Sequence, residues 1–166
     1  EQMIVLFVGA IIERKGVDIL LEAWGEVQGS LSEARLLLVG PDSFQSPQLN
    51  RFVASIQDQI KQHVLNVDFL GTRSDVEKLM AIADVFVLPS RKEGFGNVII
   101  EAMSCEVPVV VTHMDGVSQQ SVSSGSNGFI VHDASELARQ LSVLLENDDL
   151  REEMGSKARD SVRENF

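Results

Sequence analysis

Basic residues are scarce in this chain. Its 166 residues carry 14 lysines and arginines against 25 aspartates and glutamates, a net charge of −11. Binding along a nucleic-acid backbone needs a basic surface, so the composition excludes nucleic acid as a partner. Cysteine is nearly absent. Cys105 has no second cysteine to pair with, and it reads as a small buried thiol in an apolar helix, which suits a cytoplasmic setting. Long apolar runs are missing too. The longest are Ile4 to Val8, Leu36 to Val39, Val85 to Leu88 and Val107 to Val111, all far short of the roughly 18 residues of a membrane helix. The opening residues lack the basic stretch and apolar stretch of a signal peptide, and Glu1-Gln2 leads straight into an expected strand, as at a domain boundary. No G-x-G-x-x-G follows the first strand and no G-x-x-x-x-G-K-[ST] occurs, which argues against a nicotinamide, flavin or P-loop domain. His63, His113 and His132 have no metal-ligand spacing, so no metal and no cofactor are expected.

What is present is an apolar core in short pieces. Hydrophobic residues make up 44% of the chain, enough for one domain spanning 1–166. Strands are expected at Met3–Val8, Arg35–Val39, Val67–Leu70, Val85–Leu88, Val107–Thr112 and Gly128–Val131. Helices are expected between them. Val17–Gln28 carries Ile19, Leu20, Ala23, Trp24 and Val27 on one face. Pro47–Val64 opens at Ser46 with proline in its first position. Ser74-Asp75-Val76-Glu77 reads as a capping box for a helix to Ala83, and Asp133-Ala134-Ser135-Glu136 as one for a helix to Glu146. Asn97–Ser104 and the polar segment Asp148–Glu164 complete the set. Strands alternating with helices argue for an α/β Rossmann-like three-layer domain with a parallel sheet of about six strands. The strands read as continuous apolar runs, as doubly covered strands should.

In such sheets ligands bind where strand order reverses, at the carboxyl ends of the strands. Arg14 and Lys15 follow the first strand, Arg73 the third, and Arg91 and Lys92 the fourth. Five of the 14 basic residues are thus expected at the ligand edge, a candidate anion site on an acidic protein. Exposed loops carry charge without any ligand, so this pattern decides little alone.

The segment from Pro89 to Glu101, PSRKEGFGNVIIE, is sharper. A strand ends at Leu88, a loop with Gly94 and Gly96 follows, and a helix begins near Asn97. The free amides of Phe95, Gly96, Asn97 and Val98 would face a ligand, and the helix dipole adds about half a positive charge. Glu93 lies in the loop and Glu101 one turn into the helix. An ionised carboxylate only accepts hydrogen bonds, so each suits a vicinal diol. A glutamate in a first turn is also stabilising by itself, by about 0.3–1 kcal/mol. Taken together, amides and cations for an anion, and acids for hydroxyls, describe a sugar nucleotide.

Seven residues separate Glu93 from Glu101 within EGFGNVIIEAMSCEVPVV. This string resembles the signature of the group one glycosyltransferases, also called family four. FVGAIIERKGVDILLEAW, LLLVG, VDFLGTRSDVEKLMAIADVFVLPS and SNGFIV extend the resemblance over nearly the whole chain. The resemblance implies the C-terminal half of a GT-B fold, with the N-terminal acceptor domain absent. It implies the donor-binding domain of a retaining glycosyltransferase whose donor is a nucleotide-diphosphate sugar. The fragment alone is expected to bind rather than turn over. Membrane association, if any, is expected only peripherally and through the missing half. By the resemblance, Glu101 holds the ribose, Glu93 the transferred sugar, and Lys15 the diphosphate. The amides of Phe95, Gly96 and Asn97 meet the sugar and distal phosphate. Gly71, Thr72 and Arg73 touch the base, largely by backbone, and Gly9 allows close approach of the first loop.

This chain departs from that pattern in places. Ala10 stands where the family often has arginine, and Arg14 is the candidate replacement. Glu106 stands at a frequent glycine. Asp115-Gly116-Val117-Ser118-Gln119 stands where the family has Gly-Gly-x-Pro-Glu. Two other readings stay open at this point: a non-catalytic nucleotide-binding or interaction module of the same fold, and a sugar-nucleotide epimerase.

Overall fold

The computed structural model describes residues 2–166; Glu1, the first position of the expected domain, lies outside them. Six strands form one sheet: β1 (Ile4–Val8), β2 (Arg35–Val39), β3 (Val67–Gly71), β4 (Val85–Leu88), β5 (Val109–Thr112) and β6 (Gly128–Val131). Their order is β3-β2-β1-β4-β5-β6, and every pairing is parallel. This is the doubly wound order.

The described residues form seven helices: α1 (Val17–Ser30), α2 (Pro47–Gln62), α3 (Val76–Ile82), α4 (Asn97–Ser104), the four-residue α5 (Ser118–Ser121), α6 (Ala134–Leu145) and α7 (Asp148–Asn165). Parallel crossovers are right-handed, so the chain winds one face going from β1 to β3 and the other going from β4 to β6. Helices α1, α2 and α6 accordingly pack on one face, and α3, α4 and α7 on the other. Between them Val5, Leu6 and Phe7, all of β4, and Val109, Val110 and Val111 are fully buried. Trp24, the chain's one tryptophan, is fully buried on α1, and its Nε1 has no hydrogen-bond partner among the described residues.

Helix boundaries follow local chemistry. Ser46 caps α2 at the Leu49 amide, with Pro47 at the first position. The same helix stops at Gln62, before the expected Val64, because Val64 turns left-handed at φ 50°. Its amide and that of Leu65 return to the carbonyls of Lys61 and Ile60, the 5→2 and 6→1 pair of a Schellman ending. The Asp133 carboxylate caps α6 at Glu136, whose own carboxylate reaches back to the His132 amide. The capping box expected at Ser74 does not form. Asp75 precedes α3 without a side-chain cap, because both of its carboxylate oxygens are held by Arg73 at 2.9 Å. Two short elements carried no expectation: α5 and a single 3₁₀ turn, Glu13–Lys15.

The departure at Glu106 has a backbone meaning. Its φ is 62°, the left-handed region that favours glycine. An ion pair with Arg159 on α7 offsets part of that strain. Both side chains are substantially exposed, so the pair contributes about 0–1 kcal/mol, against about 1–2 kcal/mol for a left-handed L-residue. Glu106→Gly should therefore exceed Glu106→Ala in stability by about 1 kcal/mol, since both lose the ion pair and only glycine relieves the backbone. Chemical denaturation of the two variants checks this; equal stabilities would mean no strain at 106.

Candidate functional site

Because β1 and β4 are neighbours, the loops that leave their carboxyl ends meet at the reversal of strand order. Two contacts lock them together. The Arg91 amide donates to the Arg14 carbonyl at 2.8 Å. Gly16 adopts φ 71° against the other loop, where an added Cβ would lie 1.9 Å from the Pro89 carbonyl oxygen.

This junction brings Lys15 to Glu93. Lys15 Nζ donates to Glu93 Oε1 at 2.5 Å, with the two side chains only 15% and 10% exposed. Ser90 Oγ donates to the same oxygen at 2.7 Å. Helix α4 then starts at Asn97 from Gly96, which has φ 74° and no side chain to cap the helix. Among the described residues none accepts a hydrogen bond from the amides of Phe95, Gly96, Asn97 or Val98. They open, with the positive end of the α4 dipole, on a cleft of about 450 Å³. Gly9, Lys15, Glu93 and Glu101 line the cleft with residues 95–98 and with Val8. Phe95 stands 55% exposed there, and Glu101 presents its carboxylate from the exposed face of α4. Beside Gly9 the space is filled by the Lys15 stem, 3.5 Å from where a Cβ would sit.

Eight of the expected site residues thus converge, and four do not line this cleft. Arg14 lies exposed on the 3₁₀ turn and makes no ion pair among the described residues. Gly71, Thr72 and Arg73 end β3, two strands from β1 and so about 10 Å away. The Gly71 carbonyl accepts from the Gly40 amide at 2.9 Å. Arg73 is forked onto Asp75, which holds the Asp75 carboxyl below its ordinary range and raises the guanidinium.

Three of the five basic residues expected at the ligand edge are paired. Lys15, Arg73 and Arg91 each hold a carboxylate of the chain itself, because an acidic surface supplies partners. Arg91 grips Asp18 through two bonds, of 2.8 and 2.6 Å. Burial acts to raise the Asp18 pKa, but the Arg91 bonds and charge outweigh it and hold the carboxyl low. A second groove, about 940 Å³ along α1 beside His63 and Leu65, is lined by Arg91 but by none of the residues expected to hold a sugar nucleotide.

Elsewhere the residues set aside by sequence have local roles. Cys105 ends α4 half-buried, and burial followed by the charge of Glu101 pushes its thiol up, away from reactivity. His113 stacks on His132 with ring centres 5.3 Å apart, and its Nδ1 and Nε2 meet Gln119 and Asp115. No group of His, Cys, Asp and Glu among the described residues is arranged to hold a metal ion. Gly116 keeps the positive φ, 73°, of the divergent segment. Sequence reasoning passed over Ser90 and Thr112, and met Ser118 only as a departure within the segment from Asp115 to Gln119. All three are buried polar residues, and Ser90 stood three positions before Glu93, within reach of a local side-chain bond.

The fold and this cleft define a class, the C-terminal domain of a GT-B glycosyltransferase. The chain belongs to the group 1 glycosyl transferases, whose family model matches residues 1–161. It is 32% identical over 169 residues to the N-acetyl-alpha-D-glucosaminyl L-malate synthase of Bacillus anthracis, covering 100% of this chain and 42% of that protein. It is 31% identical over 171 residues to the trehalose synthase of Pyrococcus furiosus, covering 100% and 41%. The chain thus spans less than half the length of these curated relatives. Among solved structures, Anabaena HepE in complex with UDP and glucose matches with a TM-score of 0.91 at 29% identity, over 99% of this chain and 44% of that one. No helix among the described residues is long and apolar enough to cross a membrane.

Gly96 is the point on which the cleft geometry turns. An added Cβ would meet Ile99 Cδ1 at 3.0 Å and Val117 Cγ1 at 3.2 Å, on a backbone already at φ 74°. Gly96→Ala should lower stability by about 1–2 kcal/mol from the backbone alone. A melting scan checks it, and an unchanged midpoint would mean that α4 does not start from a left-handed residue.

Proposed function

We propose that this chain is the donor-binding domain of a retaining glycosyltransferase, which takes a sugar from a nucleotide-diphosphate sugar and passes it to an acceptor with the anomeric configuration kept. One observation carries the proposal: a single cleft joins unpartnered helix amides and Lys15, suited to a diphosphate, with Glu93 and Glu101, suited to hydroxyls. In support, HepE is a structural neighbour seen with UDP-glucose. Glu101 holds the ribose. Glu93 holds the transferred sugar. The amides of residues 95–98 and Lys15 hold the diphosphate and stabilise the charge that develops as it leaves. The end of β3, with Gly71, Thr72 and Arg73, lies about 10 Å off, a span fitting for the base of the same nucleotide. The acceptor site belongs to a second domain across the cleft.

Binding to Lys15 is an exchange of partners, since its ammonium already holds Glu93. Removing Glu93 frees that ammonium, so Glu93→Ala should spare or slightly tighten UDP and lose only the increment the sugar adds. Glu101→Ala should weaken UDP and UDP-glucose alike, by roughly 1–3 kcal/mol. A purely electrostatic role for Glu101 predicts another result: stability falls by up to about 1 kcal/mol and affinity is untouched. Calorimetry with both ligands separates the two, and wild-type affinity in Glu101→Ala would end the assignment. Retention is tested on the full-length enzyme. NMR of the first product formed should show the donor's anomeric configuration, and inversion would refute that part.

A further inference from the structure

Three hydroxyls outside the expected site form one buried run toward Glu93. Ser118 Oγ accepts from the Met114 amide at 2.8 Å and donates to the Thr112 carbonyl at 2.7 Å. Thr112 Oγ1 donates to the Ser90 carbonyl at 2.5 Å. Ser90 Oγ donates to Glu93 Oε1 at 2.7 Å. Ser90 and Ser118 are fully buried and Thr112 is 8% exposed. Each hydroxyl has one proton to give and a carboxylate only accepts, so the direction of the run is fixed and it ends on Glu93. The run ties the loop after β5 to the loop after β4, starting from a strand pair whose last register is Leu88 against Val111.

We propose that Ser90 is a positioning residue for Glu93. It holds Oε1 in place when Lys15 leaves that oxygen for the diphosphate, and so keeps the other carboxylate oxygen aimed at the transferred sugar. The proposal rests on the roles given above to Glu93 and Lys15. The physical need follows from geometry. Both holders of Glu93 sit on one oxygen, and one of them, Lys15, is a point charge on a flexible stem. A diphosphate offers that ammonium several negative oxygens and draws it away. The carboxylate is then nine-tenths buried without its cation, a costly state unless its hydrogen bonds persist. Ser90 supplies the one that persists. Its own backbone is pinned by Thr112, whose backbone carbonyl is in turn held by Ser118, so the hydroxyl starts from a rigid point. Without it Glu93 has Lys15 as its holder and follows it. The phosphate subsite survives and the sugar subsite does not.

The test is calorimetry of the chain with UDP and with UDP-glucose in wild type, Ser90→Ala, Glu93→Ala and the double variant. Ser90→Ala should bind UDP within about twofold of wild type and UDP-glucose roughly tenfold more weakly, the scale of one hydrogen bond to a charged group. In the Glu93→Ala background, adding Ser90→Ala should change neither ligand by more than about twofold, because coupled residues are not additive. Should Ser90→Ala not fold, Ser90→Cys keeps the bulk with a weak donor and is read the same way. Wild-type UDP-glucose binding in the serine variant, an equal loss of both ligands, or a loss that adds to that of Glu93→Ala would each overturn the positioning role alone. If Glu93→Ala itself keeps the full sugar increment, the assignment of Glu93 falls and this inference with it.

Discussion

The adjacency of β1 and β4 is the constraint on which the site depends. The chain leaves β1 for one flank of the sheet and returns through α3 to build the other flank from β4. No third strand lies between them, so the loops that follow have nothing above them except each other. Charge and hydroxyl chemistry gather there because the remainder of both strands is sealed in apolar side chains. The Lys15–Glu93 pair is a product of that adjacency, joining residues 78 positions apart.

That pair also sets the charge balance of the junction. Lys15 and Glu93 neutralise one another across the junction, while Arg73 and Arg91 are occupied by Asp75 and Asp18. Three of the five basic side chains at this edge are thus held by the chain's own carboxylates. Lys15 rests on a nearby carboxylate, and the amides of residues 95–98 have no acceptor among the described residues. Under the proposed function, ligand entry exchanges one set of charged hydrogen bonds for another, and affinity reflects a difference between two bound states of Lys15.

Much of this was legible in the sequence, for physical reasons. Continuous apolar runs report strands covered on both faces, and all six strands lie where those runs lie, within two residues. Pro47 after Ser46 and Asp133 before Glu136 set helix starts through bonds that the structure contains. The Glu93–Glu101 spacing was readable because one loop and one helical turn join them. Pairings between distant or competing groups were not. Arg73 takes the carboxylate that α3 could have used as a cap, and no periodicity records that competition. Val64 continues an amphipathic pattern yet turns left-handed, since the Schellman bonds decide the ending. The hydroxyl run through Ser90, Thr112 and Ser118 joins two loops distant in sequence, and short polar residues give no sign of burial until strand order is known.

Trp24 has a consequence of a different kind. Its indole is fully buried between α1 and the core, with no polar partner for its N–H among the described residues. An indole so placed emits toward the blue and shifts red only when solvent reaches it. With no second tryptophan to blur the signal, its fluorescence is a native optical gauge of whether the helical layer on the α1 face is intact. The cleft opens at the strand ends, away from that indole, so the gauge registers the integrity of the scaffold and stays silent about what occupies the cleft.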